Sequence, residues 1–244
     1  RGRQLQRGIA MTNILITGST RGIGAAALAA LTASGAQVVG HGMRPRDGMI
    51  GADLAIPGAA EQLWGRALEA LGGRIDVLVN NAGVLEGVDL DATDSEWAST
   101  WARSNAINLR APANLCRLAV KHFREHGGGR IVNVASRAGH RGDSPQHWHY
   151  AAAKAGLIGM TKTIARGYAH ENILAFAVAP GFTMTGMAEE YLSSRGGEKL
   201  LADIPLGRVA SAEEVGETIR WLALDAPPSL TGATLDINGA SYVR

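Results

Sequence analysis

The chain has 244 residues, a net charge of +2 with acids and bases interspersed, and abundant glycine. That is room for one sizeable α/β domain rather than two. No run of 18 apolar residues occurs, which excludes a membrane-spanning helix, and no basic face points to nucleic acid. The single cysteine, Cys116, can form no internal disulfide and falls in an apolar helical pattern. It reads as a buried small hydrophobe, and a reducing, cytoplasmic setting fits. The apolar pattern begins at Met11. Residues 1–10 are basic, lack a hydrophobic h-region, and read as a disordered tail ahead of one domain, 11–244.

Asn13-Ile14-Leu15-Ile16-Thr17 is a short β-branched run and predicts a buried strand. Gly18-Ser19-Thr20-Arg21-Gly22-Ile23-Gly24 follows at once, then an alanine-rich helix to about Ser34. Strand, glycine loop and helix start form the geometry that receives a phosphate on backbone N–H groups. Gly18 permits the tight turn, Gly22 a close approach to pyrophosphate, and Gly24 close packing of helix on strand. A plain turn is the competing reading. Gln37 to Gly40 predicts the second strand, whose end meets the adenosine ribose in a dinucleotide fold. An acid there would hold the 2′-hydroxyl of NAD. This chain offers His41, Gly42, Met43 and Arg44, with Arg46 next and Asp47 too late. Guanidinium groups suit a 2′-phosphate. With Arg21 nearby, the cofactor leans to NADP(H), with NAD(H) open; Arg44 and Arg46 could equally be solvated loop charges.

Ile50-Gly51-Ala52-Asp53-Leu54 predicts a third strand, with Asp53 at its end beside the adenine or serving as an ordinary loop acid. Pro57 to Leu71 is a helix with Leu63, Trp64, Ala67, Leu68 and Leu71 on its buried stripe. Ile75 to Val79 is the fourth strand and runs into Asn80-Asn81-Ala82-Gly83, where small residues leave room for a cofactor. Asp94 to His126 reads as helix, broken near Pro112, with Asn108 inside it and in need of a partner. Arg130 to Val134 is the fifth strand, with Ser136 at its carboxyl end. The loop from there to Tyr150 carries His140, His147, Trp148 and His149. His-x-His could bind a metal, but no carboxylate or cysteine completes the set locally, so a polar wall of the substrate mouth is favoured.

Tyr150-Ala151-Ala152-Ala153-Lys154 opens a helix. Residues four apart share a face, so the phenol and the ammonium lie one turn apart. A neighbouring ammonium should pull the phenol down from its usual pKa of about 10 toward neutrality. A surface helix with a snorkelling lysine is the plain alternative. Asn172 to Ala179 is the sixth strand, broken by Pro180-Gly181-Phe182-Thr183. Thr185 to about Leu201 is polar and small-residue-rich and could form a lid. Ser211 with Glu214 predicts a capping box on a helix to about Leu224, and Ala233 to Ile237 the seventh strand. The alternation argues for a single-domain Rossmann fold: one doubly wound parallel sheet of about seven strands, helices on both faces.

In register, Thr17-Gly18-x-x-x-Gly22-x-Gly24, Asn80-Asn81-Ala82-Gly83, Asn108, Ser136, Tyr150-x-x-x-Lys154 and Pro180-Gly181-x-Thr183 resemble the short-chain dehydrogenase/reductase family, in its compact single-domain branch. Six motifs in order are highly specific, and they cover about Ile14 to Gly239. The resemblance, which extends to 3-oxoacyl-[acyl-carrier-protein] reductases, implies a catalytic tetrad of Asn108, Ser136, Tyr150 and Lys154. It implies cofactor contacts from Gly18, Thr20, Arg21, Gly22, Ile23, Gly24, His41, Arg44, Asp53, Leu54, Asn81, Ala82, Gly83, Pro180, Gly181 and Thr183, with Tyr150 and Lys154 touching the cofactor as well. It also implies a homotetramer (or homodimer) and a small carbonyl or alcohol substrate; the incomplete ligand set of the histidine loop is the ground for expecting no metal. Two departures stand out. The loop from Ser136 to Tyr150 is one residue longer than is common, and the usual glycine pair near the end is Gly239-Ala240 here. A cofactor-sensing protein without turnover, and an epimerase or dehydratase on a related fold, are the rival readings.

Overall fold

The computed structural model describes residues 11–44, 46, 48–184 and 201–244. The expected tail, and the expected lid apart from Leu201, lie outside the described residues. Strands β1 (Asn13–Ile16), β2 (Gln37–Gly42), β3 (Ile50–Gly51), β4 (Val77–Asn80), β5 (Gly129–Val134), β6 (Ile173–Pro180) and β9 (Thr234–Ile237) form one sheet in the order β3-β2-β1-β4-β5-β6-β9. Every neighbouring pair is parallel; Leu15, for example, pairs with Val39 on one side and Leu78 on the other. The third strand is shorter than expected because the Asp53 carboxylate accepts from the Ala55 N–H at 2.9 Å and turns the chain away.

Helices α1 (Gly22–Ala33), α2 (Ala59–Ala70), α3 (Asp94–Asn105), α4 (Ala111–Glu125), α5 (Ala138–Arg141), α6 (Trp148–Tyr168) and α7 (Ala212–Leu224) connect the strands. Side chains alternate along each strand. Leu15, Leu78, Ile131 and Ala175 pack with Leu63, Leu115 and Phe123 on one face. Ile14, Ile16, Val79 and Phe176 pack with Leu31, Val215 and Ile219 on the other. A Cβ on Gly216 would lie 2.8 Å from the Ala27 nitrogen, so α7 crosses α1 nearly backbone to backbone. Among the described residues no helix is long and apolar enough to cross a membrane.

The predicted 94–126 helix is interrupted just before Pro112. Residues Ala106–Arg110 form one wide π turn, closed by the Ala111 N–H on the Ala106 carbonyl. Pro112 has no N–H to return to the Asn108 carbonyl four residues back, so the regular ladder cannot pass through. A second, unforeseen sheet pairs β7 (Thr183–Met184) with β8 (Ala210–Ser211). Ser211 then caps α7 as expected: its Oγ accepts from the Glu214 N–H at 3.1 Å, and the Glu214 carboxylate accepts from the Ser211 N–H at 2.8 Å.

Ala240 has φ +64° beside Gly239 at +62°, so the departure from the usual glycine pair places a side chain in the left-handed region. That costs about 1–2 kcal/mol. Ala240→Gly is therefore expected to raise stability by about 1 kcal/mol and the melting temperature by about 2–4 °C. A melt at or below that of the parent chain would show that the neighbours have absorbed the strain.

Candidate active site

The glycine loop sits where the strand order reverses, between β1 and β4. Thr17 and Asn81 stitch the two strand ends together. The Thr17 Oγ1 accepts from the Asn81 and Ala82 N–H groups at 3.0 Å each. The Asn81 Nδ2 donates to the carbonyls of Thr17 at 3.0 Å and Gly18 at 2.9 Å. Gly18 turns with φ +67°, and a Cβ there would lie 2.7 Å from the Ala82 Cα. A Cβ on Gly24 would lie 2.1 Å from the Gly18 oxygen and 2.4 Å from the Asn81 Nδ2. No side chain caps the start of α1. A cleft of about 730 Å³ opens over this turn.

Of the expected cofactor residues, Gly18, Thr20, Arg21, Gly22, Ile23, Gly24, His41, Asp53, Leu54, Asn81, Ala82 and Gly83 line that cleft. Bare glycines and an uncapped helix start fit a pyrophosphate. Arg44 is exposed and not in the lining. His41 is buried and uses both ring nitrogens: Nδ1 accepts from the Gly18 N–H at 3.3 Å, and Nε2 meets the Ala52 carbonyl at 3.0 Å. Burial holds its pKa below the usual histidine value, so it is a neutral pin for the loop. Arg103, which sequence reading missed, reaches the lining from α3, its Nη1 3.9 Å from the Asp53 carboxylate and its Nε 3.2 Å from Glu86. It lies in an unbroken helical pattern, and nothing local marks it.

Beyond Gly83 the cleft meets a polar cluster. Asn108, on the π turn and fully buried, accepts from the Val84 N–H at 3.1 Å and donates to the Val84 carbonyl at 2.9 Å. Lys154 is buried, and its Nζ donates to the Val134 carbonyl at 2.8 Å. The point where a Gly83 Cβ would sit lies 3.0 Å from the Asn108 Oδ1 and 3.5 Å from the Lys154 Nζ. Ser136 Oγ accepts from the Ala138 N–H at 3.1 Å, and the same hydroxyl stands near enough to the Tyr150 phenol to oppose the rise that burial imposes on it. The Pro180 carbonyl accepts from the Arg137 N–H at 3.0 Å, and Thr183 Oγ1 donates to the Gly181 carbonyl at 3.3 Å. Pro180, Gly181 and Thr183 thus stand outside the cleft lining, at the same carboxyl edge of the sheet as Ser136.

Two expectations need correction. The phenol is not drawn toward neutrality: burial of its hydroxyl end pushes Tyr150 up to about 12, against a lowering by the Ser136 hydrogen bond, although the residue as a whole is only partly buried. Burial also brings Lys154 down to about 8. The Lys154 Nζ lies 5.6 Å from the Tyr150 ring centroid and spends a hydrogen on Val134, so desolvation outweighs attraction in this state. The histidines do not form one polar wall either. His140 stacks on Tyr242, with ring centroids 5.8 Å apart, His147 Nδ1 meets the Ser144 hydroxyl at 2.7 Å, and His149 is fully buried. Because α6 begins at Trp148, its 100° steps turn His149 inward and leave Trp148 against Trp97, centroids 5.5 Å apart.

Behind the strand ends lies a polar network that sequence reading did not find. The Asn80 Nδ2 donates to the Asn133 Oδ1 at 2.9 Å and to the Cys116 sulfur at 3.3 Å, and the Asn133 Nδ2 donates to the Thr161 hydroxyl at 2.8 Å. Burial pushes the Cys116 thiol up to about 12, in keeping with an inert core residue.

A doubly wound sheet with a pyrophosphate-shaped turn, and a serine, tyrosine, lysine and asparagine at its carboxyl edge, defines a nicotinamide-dependent oxidoreductase. The comparisons with known proteins carry this further. Residues 18–240 match the family model described as Enoyl-(Acyl carrier protein) reductase. The chain is 34% identical over 242 residues to the 3-oxoacyl-[acyl-carrier-protein] reductase FabG of Escherichia coli K12, covering 94% of this chain and 96% of that protein. It is 35% identical to the FabG of Thermotoga maritima, covering 94% and 97%. It is 38% identical to a 3-oxoacyl-[acyl-carrier-protein] reductase of Synechocystis, covering 92% and 94%. The chain belongs to the short-chain dehydrogenase/reductase family and is an NAD(P)-dependent oxidoreductase of carbonyl and hydroxyl groups.

Proposed function

We propose that the enzyme reduces a small ketone with NADPH, Tyr150 giving the proton. The observation that carries this is the convergence of the Asn108 Oδ1 and the Lys154 Nζ on Gly83 at the edge of the cleft, with Tyr150 one turn before Lys154 and Ser136 close to its phenol. The nicotinamide, when bound, supplies or takes up the hydride. Ser136 holds the substrate oxygen by a hydrogen bond as charge develops on it. Tyr150, neutral at physiological pH because burial raises it to about 12, delivers its hydroxyl proton to that oxygen. Lys154 steadies the ribose end of the cofactor, and Asn108 holds the loop 81–84 and orders a water for reprotonation. Gly18 to Gly24 hold the pyrophosphate, and Pro180, Gly181 and Thr183 close the far side. The substrates to assay first are 3-oxoacyl thioesters, after the relatives' names, alongside a panel of plain ketones. A cytoplasmic homotetramer accompanies this reading and is read by sedimentation. Loss of NADPH absorbance with any of these ketones supports the assignment; a panel that leaves NADPH untouched while the cofactor binds tightly would favour a sensor.

Arg21 decides the cofactor preference. It is exposed, lines the cleft, and no acid stands at the end of β2 to hold a 2′-hydroxyl. Arg21→Ala should raise the KM for NADPH about tenfold and leave that for NADH nearly unchanged. Equal effects on both cofactors would remove Arg21 from 2′-phosphate recognition.

A further inference from the structure

Asn108 is tethered on a second side. Its Nδ2 gives one hydrogen to Val84 and the other to the Ser104 Oγ, at 3.1 Å, one turn back on the same helix. Ser104 is fully buried. Because its oxygen accepts there, its own hydrogen is free to donate, and the His149 Nδ1 lies 2.9 Å away. His149 is fully buried as well, with its ring edge-on to Trp101 at 5.8 Å between centroids. The chain of donors then has one direction: Asn108 Nδ2 to Ser104 Oγ, Ser104 hydroxyl to His149 Nδ1. The tautomer that accepts at Nδ1 carries its hydrogen on Nε2, which is buried and faces the Glu86 backbone, its nearest acceptor, outside ordinary hydrogen-bond geometry. An apolar side chain would serve the packing against Trp101 better, so packing alone does not account for the ring.

We propose that Ser104 and His149 are positioning residues that hold the Asn108 carboxamide, and through it the loop 81–84, in the orientation the reaction uses. Val84 ties Asn108 to a loop; Ser104 and His149 tie it to two helices, α3 and α6. Tyr150 follows His149 directly on α6, so the same pair links the proton donor's helix to the asparagine. The inference rests on the reading of Asn108 and Tyr150 as members of the reacting group.

The test compares Ser104→Ala, His149→Leu and His149→Asn with the parent enzyme. An asparagine carbonyl can reach the place of Nδ1 and accept from Ser104. Ser104→Ala and His149→Leu should lower kcat about tenfold and weaken NADPH binding no more than about threefold, and His149→Asn should restore most of both. With asparagine-labelled protein, the Asn108 side-chain amide signals should shift and exchange faster in the first two variants and return in the third. Turnover within twofold of the parent in Ser104→Ala, unmoved amide signals, or equal losses in His149→Leu and His149→Asn would each overturn the proposal. If His149→Leu does not fold, Ser104→Ala decides. Tyr150→Phe assayed beside them separates the two levels. Full activity there ends the reading of the reacting group, while the amide signals still report whether Ser104 holds Asn108.

Discussion

Tyr150→Phe is expected to cut turnover by about a thousandfold or more while leaving the cofactor dissociation constant nearly unchanged. The phenol oxygen stands next to Ser136 and carries the proton that the reduction needs. Phenylalanine keeps the ring and removes only that. The pH dependence follows from the sign of the shift. With the hydroxyl raised to about 12 by burial, the donor form dominates across the physiological range, so its titration should not depress carbonyl reduction between pH 6 and 9. Alcohol oxidation needs the phenolate, whose share grows up to tenfold per pH unit in that range, so that direction should climb with pH. The climb should vanish in the variant. An oxidation rate that plateaus below pH 8 would mean the bound cofactor brings the phenol down to neutrality, which is what Lys154 alone does not achieve.

Gly24→Ala is expected to abolish measurable cofactor binding and to destabilise the fold by about 3 kcal/mol or more. A methyl group there would lie 2.1 Å from the Gly18 oxygen and 2.4 Å from the Asn81 Nδ2. Neither can yield alone: the oxygen is backbone in a turn with positive φ, and the Asn81 amide bonds both Thr17 and Gly18. Relief would have to come from parting α1 and β1. A variant that binds NADPH normally in equilibrium fluorescence would show that α1 can shift outward without losing the loop. The Ala240→Gly variant is the counterpart, a glycine gained where the backbone asks for one.

The first strand, its glycine turn and the helix behind it were legible because the pattern is local: a β-branched run, a bare loop, then alanines. The same holds for the capping box at Ser211. What escaped was decided by contacts between distant residues. The π turn depends on Pro112 and on the grip of Asn108 on Val84, and periodicity alone shows a helix there. Ser104 and His149 are 45 positions apart and meet only because two helices cross. Arg103 reaches the cleft across a gap that spacing does not reveal. The Tyr150 shift was misjudged for another reason. Spacing on a helix gives the distance to a charge, but says nothing about how much water the fold removes from the hydroxyl, and that removal dominates. The three histidines shared a loop in sequence, yet the start of α6 sent them apart.

The short ladder of Thr183–Met184 with Ala210–Ser211 has a consequence for how the enzyme could change its tastes. It fastens both ends of the intervening stretch side by side, one leading from β6 and the other into the cap of α7. Residues 201–209, on the approach to β8, are tied back to the frame as well: the Leu206 N–H donates to the Gly239 carbonyl at 3.1 Å, and Asp203 lies 3.1 Å from Arg141 and 3.8 Å from Arg137. A change at Asp203 would therefore be felt at Arg137, the residue after Ser136, so this limb of the chain and the reacting edge of the sheet have to vary together.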